Sequence, residues 1–296
     1  MKSKIAIICG LTVVLAVVWF LAFNQSATNN LEVNFFDVGQ GDSMLIKTPL
    51  GQAVLIDGGP DDKILGKLGE RLSPIDKKID IVLLTHPHAD HVTGLIEVLK
   101  RYAVDLVILN GAYLATDNYN QFLNAVRDNG AEVLIAEAGE AIHFDKNLEF
   151  DIIAAEGGGT TNGSDANETS IVGKLIYKDF SIMFMGDAPA KIENEIMVYG
   201  DGLKSDIIKV GHHGSKYSSF PIFLKMVAPK AGIIEVAAKT LKFDKIKPYG
   251  KTRTDFGNYQ TRWGAEVADR RDHQALRAQR LEIDWRKNAG AVGRFY

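Results

Sequence analysis

The sequence predicts an α/β fold in which β-sheets lie inside and helices pack outside. Short apolar runs rich in Val, Ile and Leu alternate with segments of helical spacing along most of the chain. Hydrophobic residues make up 46% of the 296 residues and charged residues 24%. This balance is typical of a globular protein, so we expect a packed core and not a disordered chain.

The first elements after residue 30 are predicted to be strands joined by hairpins. "LEVNFFDV", "MLIKT" and "AVLIDGG" are separated by turns that contain Gly or Pro. The segment "KILGKLGERL" then has helical spacing, and "IDIVLLT" predicts a buried strand. "HVTGLIEVLKRY" places Val92, Leu95, Ile96 and Leu99 on one face of a helix.

The alternation continues to about residue 214. "VDLVILN" predicts a strand, "NYNQFLNAVRDNG" a helix, and "AEVLIAEAG" and "LEFDIIAAE" two further strands. A polar loop, "GGGTTNGSDANE", precedes the strands "TSIVGKLIY" and "FSIMFMGD". A helix near Lys191 to Tyr199 and the strand "SDIIKVG" complete the pattern. Because the pattern begins with hairpins, a sandwich of sheets fits the sequence better than a doubly wound sheet.

The N-terminal segment of residues 1–30 predicts a membrane-targeting element. Ile5 to Phe23 are 19 apolar or small residues that follow Lys2 and Lys4, which suits a single spanning helix with positive charge on the cytoplasmic side. A cleaved signal peptide is the alternative. Either interpretation places the rest of the chain outside the cytoplasmic membrane, as a single-pass membrane protein or a secreted one. The only cysteine, Cys9, lies in this segment, so any metal must be bound by nitrogen and oxygen atoms.

The last sixty residues, 237–296, differ in charge from the rest of the chain. They hold 14 Lys or Arg and 7 Asp or Glu, whereas residues 1–236 hold 20 and 30. They also lack clear strand patterns. A shift of reading frame would explain this change, because "TDFGNYQTRWG" can be back-translated and shifted by one base to "PILEIIKPVGA". The alternative is a divergent basic tail that binds nucleic acid or anionic lipid headgroups. We therefore predict one domain over 31–236, followed by this atypical tail.

The strongest chemical signal is the stretch "THPHADH", which follows a predicted strand. His86 and His88 leave the strand on the same side, and Asp90 and His91 fall at the start of the next helix. Imidazole and carboxylate ligands together suit Zn²⁺, Mn²⁺ or Fe. Four ligands in six residues exceed what one catalytic ion with an open position requires. The spacing therefore predicts two metal ions.

Further ligands are expected at other strand ends. "FMGD" ends an apolar strand at Asp187, where the carboxylate is placed to bridge two metals, and "KVGHHGS" ends another at His212 and His213. Asp57 in "LIDGG" also follows a strand. Its predicted role is to accept a hydrogen bond from a ligand histidine and fix that ring's orientation; an ordinary Asp-Gly turn is the alternative.

These motifs, in this order, resemble a known family. "FFDVGQGDSMLI", "VLIDGG", "THPHADHVTGL", "DANETSIV", "FMGD" and "IIKVGHHGSKYSS" are similar to the hydrolase domain of the ComEC-type competence proteins, which are DNA-uptake channels, within the metallo-β-lactamase-like hydrolase superfamily. The resemblance covers about residues 31–236. It implies a four-layer αββα sandwich with a two-metal site that acts on DNA phosphodiesters. Because the chain has at most one predicted span, it implies the hydrolase without the channel.

The resemblance also assigns roles to residues. The implied metal ligands are His86, His88, Asp90, His91, Asp187 and at least one of His212 and His213. Asp165 and Asn167 occupy the loop where β-lactam hydrolases place a further histidine, and which of the two contacts metal stays open. Two metal ions, Zn or Mn, would hold a bridging water whose pKa falls towards about 7, and the resulting hydroxide would attack phosphorus. Asp90 and His91 are the expected catalytic residues.

Substrate contacts are predicted in the loop that follows the second histidine pair. Ser215 and Lys216, with Ser218 and Ser219, offer hydroxyl and ammonium donors for a phosphate. The acidic charge of residues 1–236 is not that of a strong duplex-DNA binder, so single strands or short fragments are the expected nucleic-acid partners. Two alternatives stand beside this nuclease hypothesis: hydrolysis of a small ester, lactone or phosphate conjugate, and a non-catalytic DNA-binding or uptake partner.

Overall fold

The strands of the fold form two mixed sheets and one short parallel pair. The structure is a computed structural model that describes residues 9–15, 17–19, 30–161, 166–236, 259–260 and 282–283. The strands are β1 Glu32–Phe35, β2 Met44–Lys47, β3 Ala53–Ile56, β4 Lys78–Leu83, β5 Ala103–Leu109, β6 Tyr113–Leu114, β7 Glu132–Ile135, β8 Ala141–Asp145, β9 Leu148–Ala154, β10 Thr160–Thr161, β11 Val172–Tyr177, β12 Phe180–Phe184, β13 Ile207–Lys209, β14 Ala231–Ile233, β15 Tyr259–Gln260 and β16 Glu282–Ile283. The helices after residue 30 are α1 Lys63–Gly69, α2 Ala89–Leu99, α3 Asp117–Asn129, α4 Ala190–Ile196 and α5 Pro221–Val227.

The first sheet has the order β15-β1-β2-β3-β4-β5-β7. Strands β1, β2 and β3 pair antiparallel through the predicted hairpins, and β3, β4, β5 and β7 pair parallel. The second sheet has the order β14-β13-β12-β11-β9-β8-β16. There β8, β9, β11 and β12 are antiparallel, whereas β12, β13 and β14 are parallel. The parallel strands of both sheets position the candidate site, because they end at it.

Alternate residues of the first sheet face two different cores. Leu45, Leu55, Val82 and Val107 pack in the same cluster as the buried faces of α1, α2 and α3. Their neighbours along the same strands, among them Met44, pack against the second sheet instead. Because side chains alternate between the two faces of a strand, the first sheet lies between a helical layer and the second sheet.

The second sheet is covered in the same way. Ile182 and Ile207 face the first sheet, and the residues next to them, Met183 and Ile208, pack with α4 and α5. The layers are therefore helices, sheet, sheet and helices, as the resemblance implied. This αββα order confirms the predicted sandwich, with two mixed sheets at its centre.

Several element bounds differ from the sequence expectation. The helix expected to reach Tyr199 is α4, which ends at Ile196; residues 197–203 continue as 3₁₀ turns interrupted at Gly200, whose φ is 52°. Strand β8 and helix α5 were not predicted, because "AIHFD" is short and "PIFLKMV" has no long helical repeat. The predicted helix at "HVTGL" is α2, and Val92, Leu95, Ile96 and Leu99 are all buried on it, as expected.

The N-terminal and C-terminal predictions fall largely outside the described residues. Within the apolar N-terminal stretch, residues 9–15 and 17–19 are helical. Among the residues whose positions are given, no helix combines the length and the apolar character that a membrane span needs. In the basic tail, only β15 and β16 are described, and they pair with β1 and β8. The frameshift hypothesis and the domain boundary at 236 stay predictions.

Candidate metal centre

The predicted ligands come together where strands of both sheets end. Asp57 follows β3, and His86 follows β4, with Leu84 and Thr85 between His86 and the strand. Asp187 follows β12, and His212 and His213 follow β13. The carboxyl ends of neighbouring parallel strands lie at the same edge of a sheet, so the fold itself collects these residues.

Helix α2 carries the next two predicted ligands. His88 is the residue before its first turn, with extended φ and ψ angles of −71° and 151°, and Asp90 and His91 lie in the first turn. Two glycines allow the helix to approach the β3 end closely. A Cβ on Gly94 would lie 1.9 Å from the Gly58 carbonyl oxygen, and the Gly58 amide donates a hydrogen bond of 2.8 Å to the carbonyl of His91. Larger residues at these positions would push His91 away from Asp57.

Asp57 lies behind the cluster and accepts three hydrogen bonds. Thr85 donates from its amide to Oδ1 (2.8 Å) and from its hydroxyl to Oδ2 (2.7 Å). His91 Nδ1 lies 2.8 Å from Oδ2 and donates to it. Since Nδ1 donates to Asp57, Nε2 of His91 is the nitrogen left to bind a metal. This geometry is the one predicted for a residue that orients a ligand histidine.

The same contacts fix the proton on His86. The Thr85 hydroxyl has one proton, which it donates to Asp57, so it can only accept from His86 Nδ1, 3.1 Å away. His86 Nε2 therefore carries a lone pair and lies 3.1 Å from Nδ1 of His88. Burial holds the pKa of His86 well below its ordinary value, with the charge of His91 as the next cause, so this ring is neutral.

Asp187 is at the centre of the cluster. Its Oδ2 lies 3.4 Å from Nε2 of His91 and 3.6 Å from Nε2 of His213. The Nε2 atoms of His212 and His86 lie 3.9 and 4.0 Å from the same oxygen. Four imidazole nitrogens thus surround one carboxylate oxygen. That Asp187 bridges two metals stays a prediction.

Asp90 completes the opposite side of the cluster. Its Oδ2 lies 3.2 Å from His213 Nε2, and its Oδ1 lies 3.9 Å from His91 Nε2. Ligand atoms of Asp90, His91, Asp187 and His213 all lie within 4.8 Å of one another. Burial opposes ionisation of Asp90, but the hydrogen bond from His213 and the charge of His91 lower its pKa well below the ordinary range.

The residues present fit a metal. A tetrahedral Zn²⁺ with Zn–N bonds of about 2.0–2.1 Å separates its ligand atoms by roughly 3.3 Å, close to the distances given above. Nε2 of His91 and Oδ1 of Asp187 are buried and have no hydrogen-bond partner among the residues that the structure describes, although buried polar atoms are normally satisfied. Burial disfavours a charged His91, but Asp187 and Asp57 raise its pKa well above the ordinary value. The cluster therefore favours positive charge where a cation would lie.

The backbone at the site is strained. Asp57, His212 and His213 have φ angles of 56°, 47° and 51°, in the left-handed region that non-glycine residues rarely adopt. Such conformations cost about 1–3 kcal/mol each and cluster at functional sites. The strain is consistent with a selected arrangement of these three side chains.

The loop of residues 211–220 carries the predicted phosphate contacts. Ser215 is partly exposed and Lys216 is exposed, but the buried Ser218 hydroxyl donates to the Gly211 carbonyl oxygen (2.7 Å). Ser218 thus stabilises the loop and is not available to a substrate, contrary to our expectation. Ser219 and Phe220 donate their amides to the buried carboxylate of Glu193.

The two residues taken from the resemblance alone have different outcomes. Asn167 lies next to the cluster, with Nδ2 3.4 Å from Nδ1 of His212. Asp165 lies outside the described residues. The choice between them as a metal contact stays a prediction, and Asn167 is placed to orient His212.

Sequence reasoning missed three buried charged residues beside the cluster: Asp42, Lys209 and Glu235. Lys209 forms an ion pair with Asp42, and both side chains are fully buried. Glu235 accepts a hydrogen bond from the Ser43 amide, and its burial and the nearby Asp42 raise its pKa well above the ordinary value. Asp42 and Lys209 stand in the motifs "GQGDS" and "IIKVGHHGS", so the available signal was a charged residue at a strand end next to predicted ligands.

An αββα sandwich with histidines and carboxylates converging at its strand ends defines a metal-dependent hydrolase. The family profile described as the metallo-beta-lactamase superfamily matches residues 36–234. The chain belongs to this superfamily, as the motifs implied.

Individual relatives agree with the narrower resemblance. The chain is 29% identical over 220 residues to ComE operon protein 3 of Bacillus subtilis, covering 69% of this chain and 28% of that protein. It is 25% identical over 224 residues to competence protein ComA of Neisseria gonorrhoeae, covering 74% and 29%. The chain thus spans less than a third of the length of these relatives. Among solved structures, the metallo-beta-lactamase fold protein YhfI from Bacillus subtilis aligns with a TM-score of 0.48 and 10% identity, covering 71% of this chain and 88% of that one.

Proposed function

We propose that this protein is an extracytoplasmic hydrolase that uses two divalent metal ions, Zn or Mn, to cleave phosphodiester bonds in DNA. The observation that carries the proposal is the convergence of four imidazoles and the Asp90 carboxylate around Oδ2 of Asp187. The similarity to competence-type proteins supports DNA as the substrate class.

The ligands fall into two groups by position. Nε2 of His86 lies 3.1 Å from Nδ1 of His88 and 4.0 Å from Oδ2 of Asp187. Asp90, His91 and His213 form a second group with Asp187, and His212 lies at the exposed edge. When bound, the metal ions lower the pKa of a coordinated water and offset negative charge on phosphate oxygens.

Asp90 is placed to act on the attacking water. Its side chain is about one-third exposed, whereas those of Asp187 and His91 are almost fully buried. Because its lowered pKa keeps it ionised, Asp90 can accept a hydrogen bond from that water as well as bind metal. Asp57 acts through His91, whose ring it orients, and through Thr85 on His86.

The substrate side of the site offers contacts suited to a single strand. Lys216 and Tyr217 are exposed on the loop that follows His213, and the ammonium lies 4.8 Å from the ring centroid. The Tyr217 carbonyl accepts a hydrogen bond from the Ala190 amide (3.0 Å), three residues after Asp187. An aromatic ring can stack on an unpaired base while the lysine attracts its phosphate. One lysine does not form the basic stripe that duplex binding requires.

The proposed location follows from the N-terminal helical residues. Their apolar side chains are strongly exposed, including Leu15 at 65% and Trp19 at 68%. Exposed apolar surface of this kind marks contact with a membrane or another protein. Together with Lys2 and Lys4, it supports a membrane anchor whose positive end stays in the cytoplasm. N-terminal sequencing of the secreted and membrane fractions distinguishes an intact anchor from a cleaved signal peptide.

The test of the function combines metal content with cleavage. The purified full chain is loaded with Zn²⁺ or Mn²⁺, its metal is counted by mass spectrometry, and labelled single-stranded and duplex DNA are supplied. The Asp90→Ala, His91→Ala double variant is the control, with circular dichroism to confirm folding. We expect about two metals per chain and cleavage that the double variant loses. Two bound metals without DNA cleavage would indicate that the substrates are small esters or phosphate conjugates. A folded chain that binds no metal would refute the proposed metal-dependent function.

A further inference from the structure

Lys209 is a buried cation directly behind the candidate metal centre. It is the last residue of β13 and is fully buried. Its ammonium forms an ion pair with Oδ2 of Asp42 and donates a hydrogen bond of 2.9 Å to the Gly186 carbonyl oxygen. Buried lysines are rare, and one that is retained needs partners of this kind. The ion pair is therefore a specific structural part of the site.

The ammonium also faces the central carboxylate. Nζ of Lys209 lies 3.8 Å from Oδ1 of Asp187. The other oxygen of Asp187, Oδ2, faces the four histidines. Since Lys209 attracts Oδ1, it opposes a rotation that would bring both oxygens of Asp187 into the cluster.

Asp42 acts on a second candidate ligand. Its Oδ1 lies 3.2 Å from Nδ1 of His213, and the same nitrogen lies 2.6 Å from the Glu235 carbonyl oxygen. Both neighbours are acceptors, so Nδ1 of His213 carries a proton and Nε2 is the nitrogen left to bind a metal. That Nε2 is the atom 3.2 Å from Asp90 and 3.6 Å from Asp187.

We propose that Lys209 and Asp42 form a positioning pair for the metal centre. Through opposite ends they fix which oxygen of Asp187 and which nitrogen of His213 face the metals. This role is the one that hydrogen-bonded neighbours of metal ligands generally perform. The inference rests on the metal-dependent function proposed above and adds two residues that touch ligands without being ligands.

The test replaces Lys209 with Met, which has a similar shape and no charge. Co²⁺ binding to the metal-free full chain is followed by calorimetry, and the visible spectrum of bound Co²⁺ reports the coordination geometry. We expect an affinity at least tenfold weaker and a changed spectrum. Removing a nearby positive charge would by itself strengthen cation binding. Equal or tighter binding with an unchanged spectrum would therefore overturn the positioning role.

Lys174→Met is the matched control. Lys174 is also a buried lysine of the second sheet, on β11, and its ammonium donates to the carbonyls of Gly202 (2.8 Å) and Lys204 (2.7 Å), away from the metal centre. We expect this variant to lose thermal stability while it keeps the wild-type Co²⁺ affinity and spectrum. A loss of affinity in both variants would mean that general destabilisation, and not positioning, causes the effect, which would also overturn the proposal.

A second variant keeps the test decisive. If Lys209→Met does not fold, Asp42→Asn takes its place, because it keeps the side-chain volume and removes the charge. A tenfold loss with a changed spectrum is expected. Because removing a negative charge by itself weakens cation binding, an unchanged spectrum would refute the pair whatever the affinity. A wild-type chain that binds no Co²⁺ would instead refute the proposed function, so the two failures are distinguishable.

Discussion

The two sides of the candidate metal centre are built differently. One side, which we call the rear wall, is no more than 2% exposed and consists of Asp42, Asp57, Thr85, His91 and Lys209. Their polar groups contact one another or the ligands at hydrogen-bond or ion-pair distance. The other side, the open rim, consists of His88, Asn167, His212, Ser215, Lys216 and Tyr217, all of them partly or fully exposed.

The difference indicates that the rear wall and the open rim have different roles. A rear wall closed to water holds ligands in one orientation, because its contacts are strong at low dielectric and cannot be exchanged for water. The open rim has room for a polymeric substrate and can adapt to it. Changes in the rear wall should therefore affect metal binding, and changes in the rim should affect substrate affinity.

The largest loss of activity is expected from a substitution of Asp187, which lies between the rear wall and the open rim. Asp187→Ala removes the oxygen that four histidines surround. Metal-centred stabilisation is worth several kcal/mol, so activity should fall by roughly 10³-fold. The measurement is kcat/KM on single-stranded DNA together with the metal count.

A second aspartate of the same sheet provides the control for Asp187. Asp206 accepts a hydrogen bond from the Ser181 amide (2.9 Å) and pairs with Lys230, outside the cluster. Asp206→Ala should reduce stability but keep metal content and activity. If Asp187→Ala retains its metals and cleaves DNA as fast as wild type, Asp187 is not a ligand.

The second-largest effect is expected from a substitution in the rear wall alone. In Asp57→Asn, the Thr85 amide can only donate, so the oxygen of the new amide must face it and the amide NH₂ must face His91. Nδ1 of His91 would then have to accept, which moves its proton to Nε2 and removes the metal-binding lone pair. We expect metal affinity to fall by about 10- to 100-fold, as measured by calorimetry.

The same substitution at Asp80, a partly buried carboxylate, tests whether the loss of affinity is specific to Asp57. Asp80 accepts a hydrogen bond from the Ala53 amide (2.8 Å) in the first sheet, away from the metal centre. Asp80→Asn should leave metal affinity unchanged. Wild-type affinity in Asp57→Asn would show that His91 is held by something other than Asp57.

The rear wall and the rim also differ in how far the sequence predicts them. Asp90 and His91 were predictable because four potential ligands within six residues are typical of a metal site. Asp187 and the pair His212 and His213 were predictable because each follows an apolar strand, and strand ends of an α/β sandwich converge. The alternation of apolar runs was likewise sufficient to predict the layered fold.

Asp42 and Lys209 of the rear wall could not be predicted, for a physical reason. A lysine such as Lys209 is ordinarily expected at the surface, and its burial depends on Asp42, 167 positions earlier in the chain. Only the folded arrangement brings the "GQGDS" turn against the end of β13. Glu235 was missed for the same reason, because its contact with Ser43 spans 192 positions.

The smallest effect is expected at the rim. Tyr217 is 62% exposed, and its backbone is fixed next to Ala190. Stacking of one base on an aromatic ring is worth about 1–3 kcal/mol, and at this exposed position we expect the lower end. Tyr217→Ala should therefore raise KM for single-stranded DNA by roughly fivefold and leave the metal count unchanged. Tyr217→Phe keeps the ring and should keep KM, because stacking needs the π-face and not the hydroxyl. Equal KM values for all three proteins would mean that no base stacks on Tyr217. The substrate contact expected on this side of the rim would then be the one between Lys216 and a phosphate.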